Sequence, residues 1–286
     1  MRLDQEQESQ NIEDRRGMRA SRGVVGGGIG TIAVVLIALF FGVDPSILLQ
    51  GVPETNVPET SLPQSQRSGG EDEMREFVAR VLGSTERTWS KIFESAGRSY
   101  EKPTLVLFSG AVESACGFAQ AASGPFYCGA DHKLYIDLSF YRELRERFAA
   151  PGDFAQAYVI AHEVGHHVQN LLGIMNKVQG SQSRARNQQQ ANTLSVRLEL
   201  QADCLAGIWA NDAHRERNIL EQGDVEEGLN AAAQIGDDRM QKRAQGYVVP
   251  EGFTHGSAEQ RVQWFRRGIE SGDLKQCDTF ASSPLS

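Results

Sequence analysis

Two histidines with a glutamate between them carry the clearest chemistry in the sequence. They lie in the segment His162-Glu163-Val164-Gly165-His166. In a helix, side chains at positions i and i+4 share a face, so both imidazoles can bind one zinc ion. The glutamate after the first histidine would then face an open coordination position, where it can act as a general base. Apolar residues recur on one face around the motif, which predicts a core helix. They are Phe154, Tyr158, Ala161, Val164, Val168 and Leu171.

Catalytic zinc sites usually have a third protein ligand, and Glu199 is the candidate. Asp203 follows it by four residues, so the two carboxylates share a helix face. We expect Glu199 to bind the metal and Asp203 to accept a hydrogen bond from the free ring nitrogen of a zinc-bound histidine. A solvated acidic face is the alternative, but the neighbouring residues make this predicted helix largely apolar. These neighbours are Leu198, Ala202, Leu205, Ala206 and Trp209.

His167 is a competing ligand because it directly follows His166. Its side chain lies about 100° around the helix from that of His166, so it is expected to point away from the metal and to have a structural or surface role. His132 and His214 have no recognisable metal-binding context.

Apolar periodicity outside the motif predicts an α+β domain over residues 71–286, mostly helical with a small sheet. Strands are expected at 104–108 and 133–137, and the tail after Cys277 is expected to be irregular. Helices are expected at about 71–98, 139–148, 153–172, 187–213, 224–244 and 256–271.

Residues 24–43 form an uncharged apolar run that is long enough to span a bilayer. Arginines precede the run and Asp44 follows it, so the positive-inside rule places residues 1–23 in the cytoplasm and the domain on the other side. A cleaved signal peptide fits less well, because the polar leader is long and no small-residue cleavage site follows the run. A buried core helix would have a polar face, which this run lacks. We therefore predict one transmembrane helix at 24–43 and a flexible linker at 44–70.

The cysteines and the net charge bear on the kind of zinc site, on the disulfides and on nucleic-acid binding. No CxxC pair occurs, which argues against a cysteine-based zinc ribbon. Outside the cytoplasm we expect the disulfides Cys116–Cys128 and Cys204–Cys277, and four reduced, buried thiols are the alternative. The formal net charge is -8, which gives no support to nucleic-acid binding.

The motif HEVGHH followed by ELQAD resembles the gluzincin pattern, which is HExxH with a downstream ExxxD. The wider chain is similar to the YpfJ-type neutral zinc metallopeptidases of bacteria. The similarity extends over residues 11–17, the apolar run at 24–43, residues 116–137, the two predicted helices that carry HEVGHH and ELQAD, and residues 253–261. It implies a zincin-like peptidase anchored at the bacterial inner membrane, acting on a peptide or protein, but it implies no particular substrate.

His255 is a candidate for a second catalytic histidine. The segment 253–261 resembles the histidine-containing stretch of CAAX-prenyl-protease-like gluzincins, although Gly256 stands where those enzymes commonly have proline. The resemblance implies that His255 stabilises an oxyanion and that Arg261 braces the site. The alternative is a capping or surface histidine, because residues 257–260 resemble a helix-capping sequence.

Residues 127–137 are a candidate edge strand for binding an extended substrate, because an unpaired strand edge can form hydrogen bonds with a peptide backbone. The alternative is that Tyr135 is an ordinary core or sheet residue.

Together these residues predict a zinc-dependent metallopeptidase. Zn²⁺ bound by His162, His166 and Glu199 would activate a water molecule, and Glu163 would take its proton and deliver it to the leaving amine. A catalytically inactive, zinc-stabilised binding or scaffolding module at the membrane is the competing function. Structural zinc sites usually fill all four positions with protein ligands, whereas three convincing ligands are found here. A hydrolase of non-peptide substrates stays open, while one uncharged membrane segment argues against a transporter component.

Overall fold

The computed structural model describes residues 1–18 and 69–281. The predicted transmembrane helix at 24–43 and nearly all of the predicted linker at 44–70 lie outside these described residues. Within the two described ranges, none of the helices has the length and apolar character that crossing a bilayer requires.

The described residues form a mostly helical α+β fold, as the apolar periodicity predicts. Its helices are α1 (Gly69–Ser95), α2 (Ser139–Glu146), α3 (Asp153–Leu171), α4 (Ile174–Gln182), α5 (Gln188–Arg217), α6 (Asp224–Gln234), α7 (Asp237–Gln245) and α8 (Ala258–Ser271).

The strands of the described residues are β1 (Ile12–Asp14), β2 (Thr104–Phe108), β3 (Ala111–Ser114), β4 (Gly117–Gln120), β5 (Phe126–Cys128) and β6 (Lys133–Asp137). One sheet has the order β1-β2-β6-β5, with parallel β1–β2 and β2–β6 pairs and an antiparallel β5–β6 pair. Strands β3 and β4 form a separate antiparallel hairpin. Strand β5 is therefore an edge strand, whereas β6 lies between two partners.

Helix α3, which carries the two-histidine motif, runs through the core. Every residue from Phe154 to Gln169 except Gln156 is buried, because α1, α5 and α6 all pack against this helix. Phe154 stacks on Trp209 of α5 with ring centroids 6.0 Å apart. The histidines of the motif therefore lie in an apolar, closely packed setting.

Two helices begin where the sequence supplies a cap. The side chain of Asn187 accepts a hydrogen bond from the Gln190 N–H at the start of α5. Ser257 and Gln260 form a reciprocal capping box at the start of α8, as residues 257–260 predict. These caps fix where the helices that carry Glu199 and Arg261 begin.

Residues 1–17 are part of the domain, which differs from the predicted division into a separate segment 1–23. Strand β1 pairs with β2, and Leu3 lies in the main apolar core. The Glu6 carboxylate accepts a hydrogen bond from the Arg217 guanidinium at 2.5 Å; the Glu6 side chain is fully buried and that of Arg217 is 10% exposed. On α1, Gly83 makes room for the segment, because a Cβ at this position would overlap with the carbonyl oxygen of Gln7.

The predicted topology, with residues 1–23 in the cytoplasm and the domain on the other side of the membrane, stays a prediction. A segment that supplies a strand to a sheet lies in the same compartment as the rest of that sheet. The β1–β2 pairing favours one compartment for residues 1–17 and the domain. The positive-inside rule uses local charge, which carries no information on this pairing, because the partners of β1 follow it by about 90 residues.

The helices of the structure also differ from the predicted helices at two places. The predicted helix 224–244 is divided into α6 and α7, because Gly236 has extended backbone dihedrals and a Cβ there would overlap with Ala258. Helix α4 has no counterpart among the predicted helices. It follows Gly173, whose left-handed conformation ends α3.

Both predicted disulfides are present in the structure. Cys116–Cys128 joins the turn of the β3–β4 hairpin to β5. Cys204–Cys277 joins α5 to a short 3-10 turn, Leu274–Cys277, near the end of the described chain. The second disulfide therefore fixes the C-terminal residues beside the helix turn that carries Asp203.

Candidate metal centre

Helices α3 and α5 bring His162, His166 and Glu199 together. One donor atom from each side chain lies within 4.8 Å of the others. The Nε2 atom of His162 is 3.1 Å from one Glu199 carboxylate oxygen, and the Nε2 atom of His166 is 3.4 Å from the other. The approach is close because α3 has no side chain at Gly165, where a Cβ would lie 2.9 Å from the Ala202 carbonyl oxygen.

The hydrogen bonds of the two histidines fit a bound cation. The Nδ1 atom of His162 lies 2.8 Å from Asp203, and that of His166 lies 2.9 Å from the side-chain oxygen of Gln169. Both partners are acceptors, so each Nδ1 carries a proton and each Nε2 lone pair is directed toward Glu199. Without a metal, this arrangement requires doubly protonated rings facing a carboxylate. Two neutral imidazoles and one carboxylate are the donors that a zinc ion prefers, so the residues fit the metal.

The pKa values of the histidines and of Glu199 agree with this geometry. Burial lowers the pKa of His162, but Asp203 and Glu199 outweigh it and raise that pKa to about 9. Burial raises the pKa of Glu199, but the positive charges of His166 and His255 hold it well below its usual range. Burial also lowers the pKa of His166, but Glu199 outweighs it, so the pKa values of both rings are raised.

Asp203 is held by an ion pair as well as by His162. The guanidinium of Arg261 on α8 donates to both Asp203 oxygens at 2.9 Å, and the hydroxyl of Tyr158 donates to one of them at 2.5 Å. Burial raises the pKa of Asp203, but Arg261 and His162 outweigh it and lower that pKa to about 2. Both residues of this ion pair are almost completely buried, so Arg261 supports the side chain that orients His162.

Glu163 lies beside the metal-binding group without belonging to it. It lines a cavity of about 290 Å³ together with His162, His166, Glu199 and His255. Its side chain is 8% exposed, and burial raises the pKa of its carboxyl group above the usual value. A carboxyl group with a raised pKa is suited to exchange protons near neutral pH.

His255 is held at the cavity by Asp237, a residue that the sequence analysis did not identify. One oxygen of Asp237 accepts hydrogen bonds from the backbone N–H groups of Thr254, His255 and Gly256 at 2.6–3.0 Å. The other oxygen lies 3.3 Å from Nδ1 of the His255 ring. Asp237 is fully buried at the start of α7. No local feature of the sequence indicated its role, because the predicted helix 224–244 continued through position 237.

Gln169 is the other residue that the sequence analysis missed. Its side-chain amide donates to the Leu198 carbonyl oxygen at 2.7 Å and to Gln201 at 3.1 Å, which turns its oxygen toward His166. Gln169 follows His166 by three residues and therefore shares its helix face, which is a spacing that could have been recognised.

His167 points away from the ligands, as its position on the helix predicts. Its Nε2–H donates to the Glu101 carbonyl oxygen at 2.7 Å, so its Nδ1 accepts from the Tyr127 hydroxyl at 3.0 Å. Burial lowers the pKa of His167 to about 4. The neutral ring thereby joins α3 to edge strand β5. Of the remaining histidines, His132 contacts Glu101 and His214 accepts from the Leu220 N–H.

The predicted substrate strand 127–137 is only partly an edge. Tyr127 lies on edge strand β5 and lines the cavity, whereas β6 pairs on both sides. Tyr135 on β6 is 1% exposed and stacks on Phe126, so it is a sheet and core residue.

Comparisons with known proteins agree with the motifs. The model of a family described as "Putative neutral zinc metallopeptidase" matches residues 1–280. The protein YpfJ of Escherichia coli is 48% identical over 294 residues, which cover 99% of this chain and 100% of that protein. A protein of Mycobacterium bovis is 39% identical over 264 residues, which cover 87% of this chain and 86% of that protein. No solved structure matches the chain. The resemblance carried by HEVGHH and ELQAD is thus confirmed, and the chain belongs to this zinc metallopeptidase family.

Proposed function

We propose that the chain hydrolyses peptide bonds in a zinc-dependent reaction. The observation that carries the proposal is the position of Glu163, a buried carboxyl group beside three converging ligand atoms and facing the same cavity. A purely structural zinc site has no use for such a group, because its coordination positions are filled by ligands.

The chain's own residues supply most of the chemistry. When bound to His162, His166 and Glu199, Zn²⁺ would lower the pKa of a water molecule and polarise a carbonyl group. Glu163 takes the proton from the attacking water and delivers it to the leaving amine, so one carboxyl group acts first as base and then as acid. His255, oriented by Asp237, stabilises the negative charge that develops on the carbonyl oxygen. Arg261 acts through Asp203, which fixes the ring of His162.

Strand β5 supports a peptide as the substrate. Its outer edge has no strand partner among the described residues, and Phe126 and Tyr127 line the cavity. An extended peptide added to this edge would form backbone hydrogen bonds regardless of its sequence. The proposed substrate is therefore a segment of peptide or protein in an extended conformation.

Replacing Glu163 with Gln tests the base. We expect Glu163→Gln to bind zinc as the wild type does and to lose at least about 100-fold in kcat/KM on a peptide library, because the amide cannot accept the proton. Zinc content is measured by elemental analysis and cleavage by mass spectrometry. Glu251→Gln, an exposed position outside the cavity, is the matched control. Hydrolysis by Glu163→Gln at the wild-type rate would refute this role.

The same experiment separates the peptidase from a zinc-stabilised scaffolding module. A scaffolding module would bind zinc and unfold when zinc is removed, but neither wild type nor Glu163→Gln would release peptides. A peptidase would lose cleavage when zinc is removed and regain it when zinc is restored.

We further propose that the chain associates with a membrane through the apolar run at residues 24–43. The uncharged length of the run supports this association. We also propose that residues 1–17 and the domain lie in one compartment, which differs from the predicted topology; the pairing of β1 with β2 supports this.

A further inference from the structure

We propose that the cavity beside the metal centre selects a bulky, uncharged apolar side chain next to the bond that is cleaved. The inference rests on the proposed function, because it names the substrate class of that site. It is carried by the composition of the cavity wall and by the hydrogen bonds of the charged groups in it.

Part of the cavity wall is apolar and comes from several elements. Val159 belongs to it and lies on α3 one turn before Glu163, so the apolar surface begins directly beside the proposed base. The other members come from α2 with the loop after it and from the end of α6 and α7. They are Phe140, Phe148, Ile235 and Met240.

Neighbouring rings and cations hold this wall in place. Phe140 and Phe148 lie with ring centroids 6.3 Å apart. The guanidinium groups of Arg147 and Arg243 lie 5.5 Å and 5.3 Å from the centroid of Phe148. Phe148 is 1% exposed, so the aromatic surface is fixed before any ligand binds.

Apart from Glu163, the charged groups that line the cavity already have partners. Arg261 is paired with Asp203, and the ring of His255 contacts Asp237. His162, His166 and Glu199 form the metal-binding group, and Glu163 lines the same cavity. Away from Glu163, which the proposed reaction uses as base, a charged substrate side chain would be buried against apolar atoms without an ion partner, which is costly. An apolar side chain gains from burial at the same place.

Binding to a variant without the base tests the inference separately from turnover. Full-length Glu163→Gln, loaded with zinc, is titrated by calorimetry with blocked peptides that are identical except for one residue, which is Leu, Phe, Ala, Asp or Lys. We expect the Leu and Phe peptides to bind about 10- to 100-fold more tightly than the Ala peptide, and the Asp and Lys peptides to bind more weakly still. Wild type should cut next to Leu or Phe.

Changes in the wall should change this preference. Val159→Phe fills the cavity and should bring the ratio of Leu to Ala binding close to one. Val248→Phe is the matched control, because Val248 is 39% exposed and does not line the cavity. Met240→Ala enlarges the cavity and should shift the preference from Leu toward Phe, which keeps the test valid if Val159→Phe does not fold.

The outcomes separate the inference from the proposed function. Equal binding of the Leu, Asp and Lys peptides, or no binding of any peptide, overturns the inference. A preference for Leu without hydrolysis by the wild type refutes the peptidase and leaves the apolar selectivity standing.

Discussion

At the residue scale, the geometry of the candidate metal centre depends on the hydrogen bond that the Nδ1 atom of each histidine forms. His162 uses it on Asp203 and His166 uses it on Gln169, which leaves both Nε2 atoms directed toward Glu199. The grouping of the three candidate ligands could be predicted, because the i and i+4 spacings of His162 with His166 and of Glu199 with Asp203 are local properties of the sequence. Gln169 and Asp237 were not identified, because their roles depend on contacts that only the packed helices create.

We expect Zn²⁺ binding at pH 7 to release at least one proton. Without metal, the pKa of His162 is raised to about 9, so its ring is protonated at pH 7. A zinc ligand must be neutral, so binding displaces this proton and zinc affinity weakens as the pH falls below about 9. Titration calorimetry in buffers with different ionisation enthalpies measures the release.

Asp203→Asn provides the comparison for this prediction. It removes one carboxylate that raises the pKa of His162, so it should release fewer protons and should also bind zinc about 10- to 100-fold more weakly. A binding enthalpy that does not depend on the buffer would show that both rings are already neutral in the metal-free protein.

At the scale of elements, the geometry of the site depends on how closely α3 approaches α5. Gly165 lies inside the HExxH motif at their contact, where no side chain fits without a shift of one helix. The helices themselves were predictable from periodicity. The distance between them was not, since a glycine in a helix pattern does not reveal which backbone it faces.

Gly165→Ala should therefore weaken zinc binding by about tenfold or more, because it moves Glu199 away from His162 and His166. Gly180→Ala on α4 is the matched control, since the nearest atoms to a Cβ there lie 3.8 Å away on a flexible arginine. Zinc affinity by chelator competition is the measurement. Equal affinities of the two variants would contradict the proposed spacing role.

Gly83→Ala should destabilise the fold by about 1–3 kcal/mol, because its Cβ would overlap with the backbone at Gln7 and displace residues 1–17. Gly70→Ala lies on the same helix with nothing near its Cβ, so it should be neutral or slightly stabilising. Denaturant unfolding of both variants gives the free energies. A Gly83→Ala protein as stable as wild type would mean that the segment docks more loosely than the structure indicates.

At the scale of the whole molecule, residues 1–17 and 69–281 are one folded unit. The class of fold could be predicted from the sequence, because apolar residues recur at helical spacing in most of the helices. The docking of β1 could not be predicted, because its partners are far away in the sequence and three residues are too few for a periodic signal.

Labelling in intact cells tests the shared compartment. Gln10→Cys and Glu146→Cys place exposed thiols on the N-terminal segment and on the domain. We expect a membrane-impermeant maleimide to label both from the same side, because the two positions belong to one fold. Labelling of one position from outside and of the other only after cell lysis would overturn this topology.

The pairing of β1 with β2 also sets an order of events during synthesis. Residues 12–14 leave the ribosome long before Thr104–Phe108 and before Ile219, whose carbonyl oxygen accepts the Arg2 N–H. While the apolar run at 24–43 is emerging, the first strand still has no partner. Residues 1–17 therefore remain accessible during most of synthesis and complete the fold only after the residues around Ile219 have emerged.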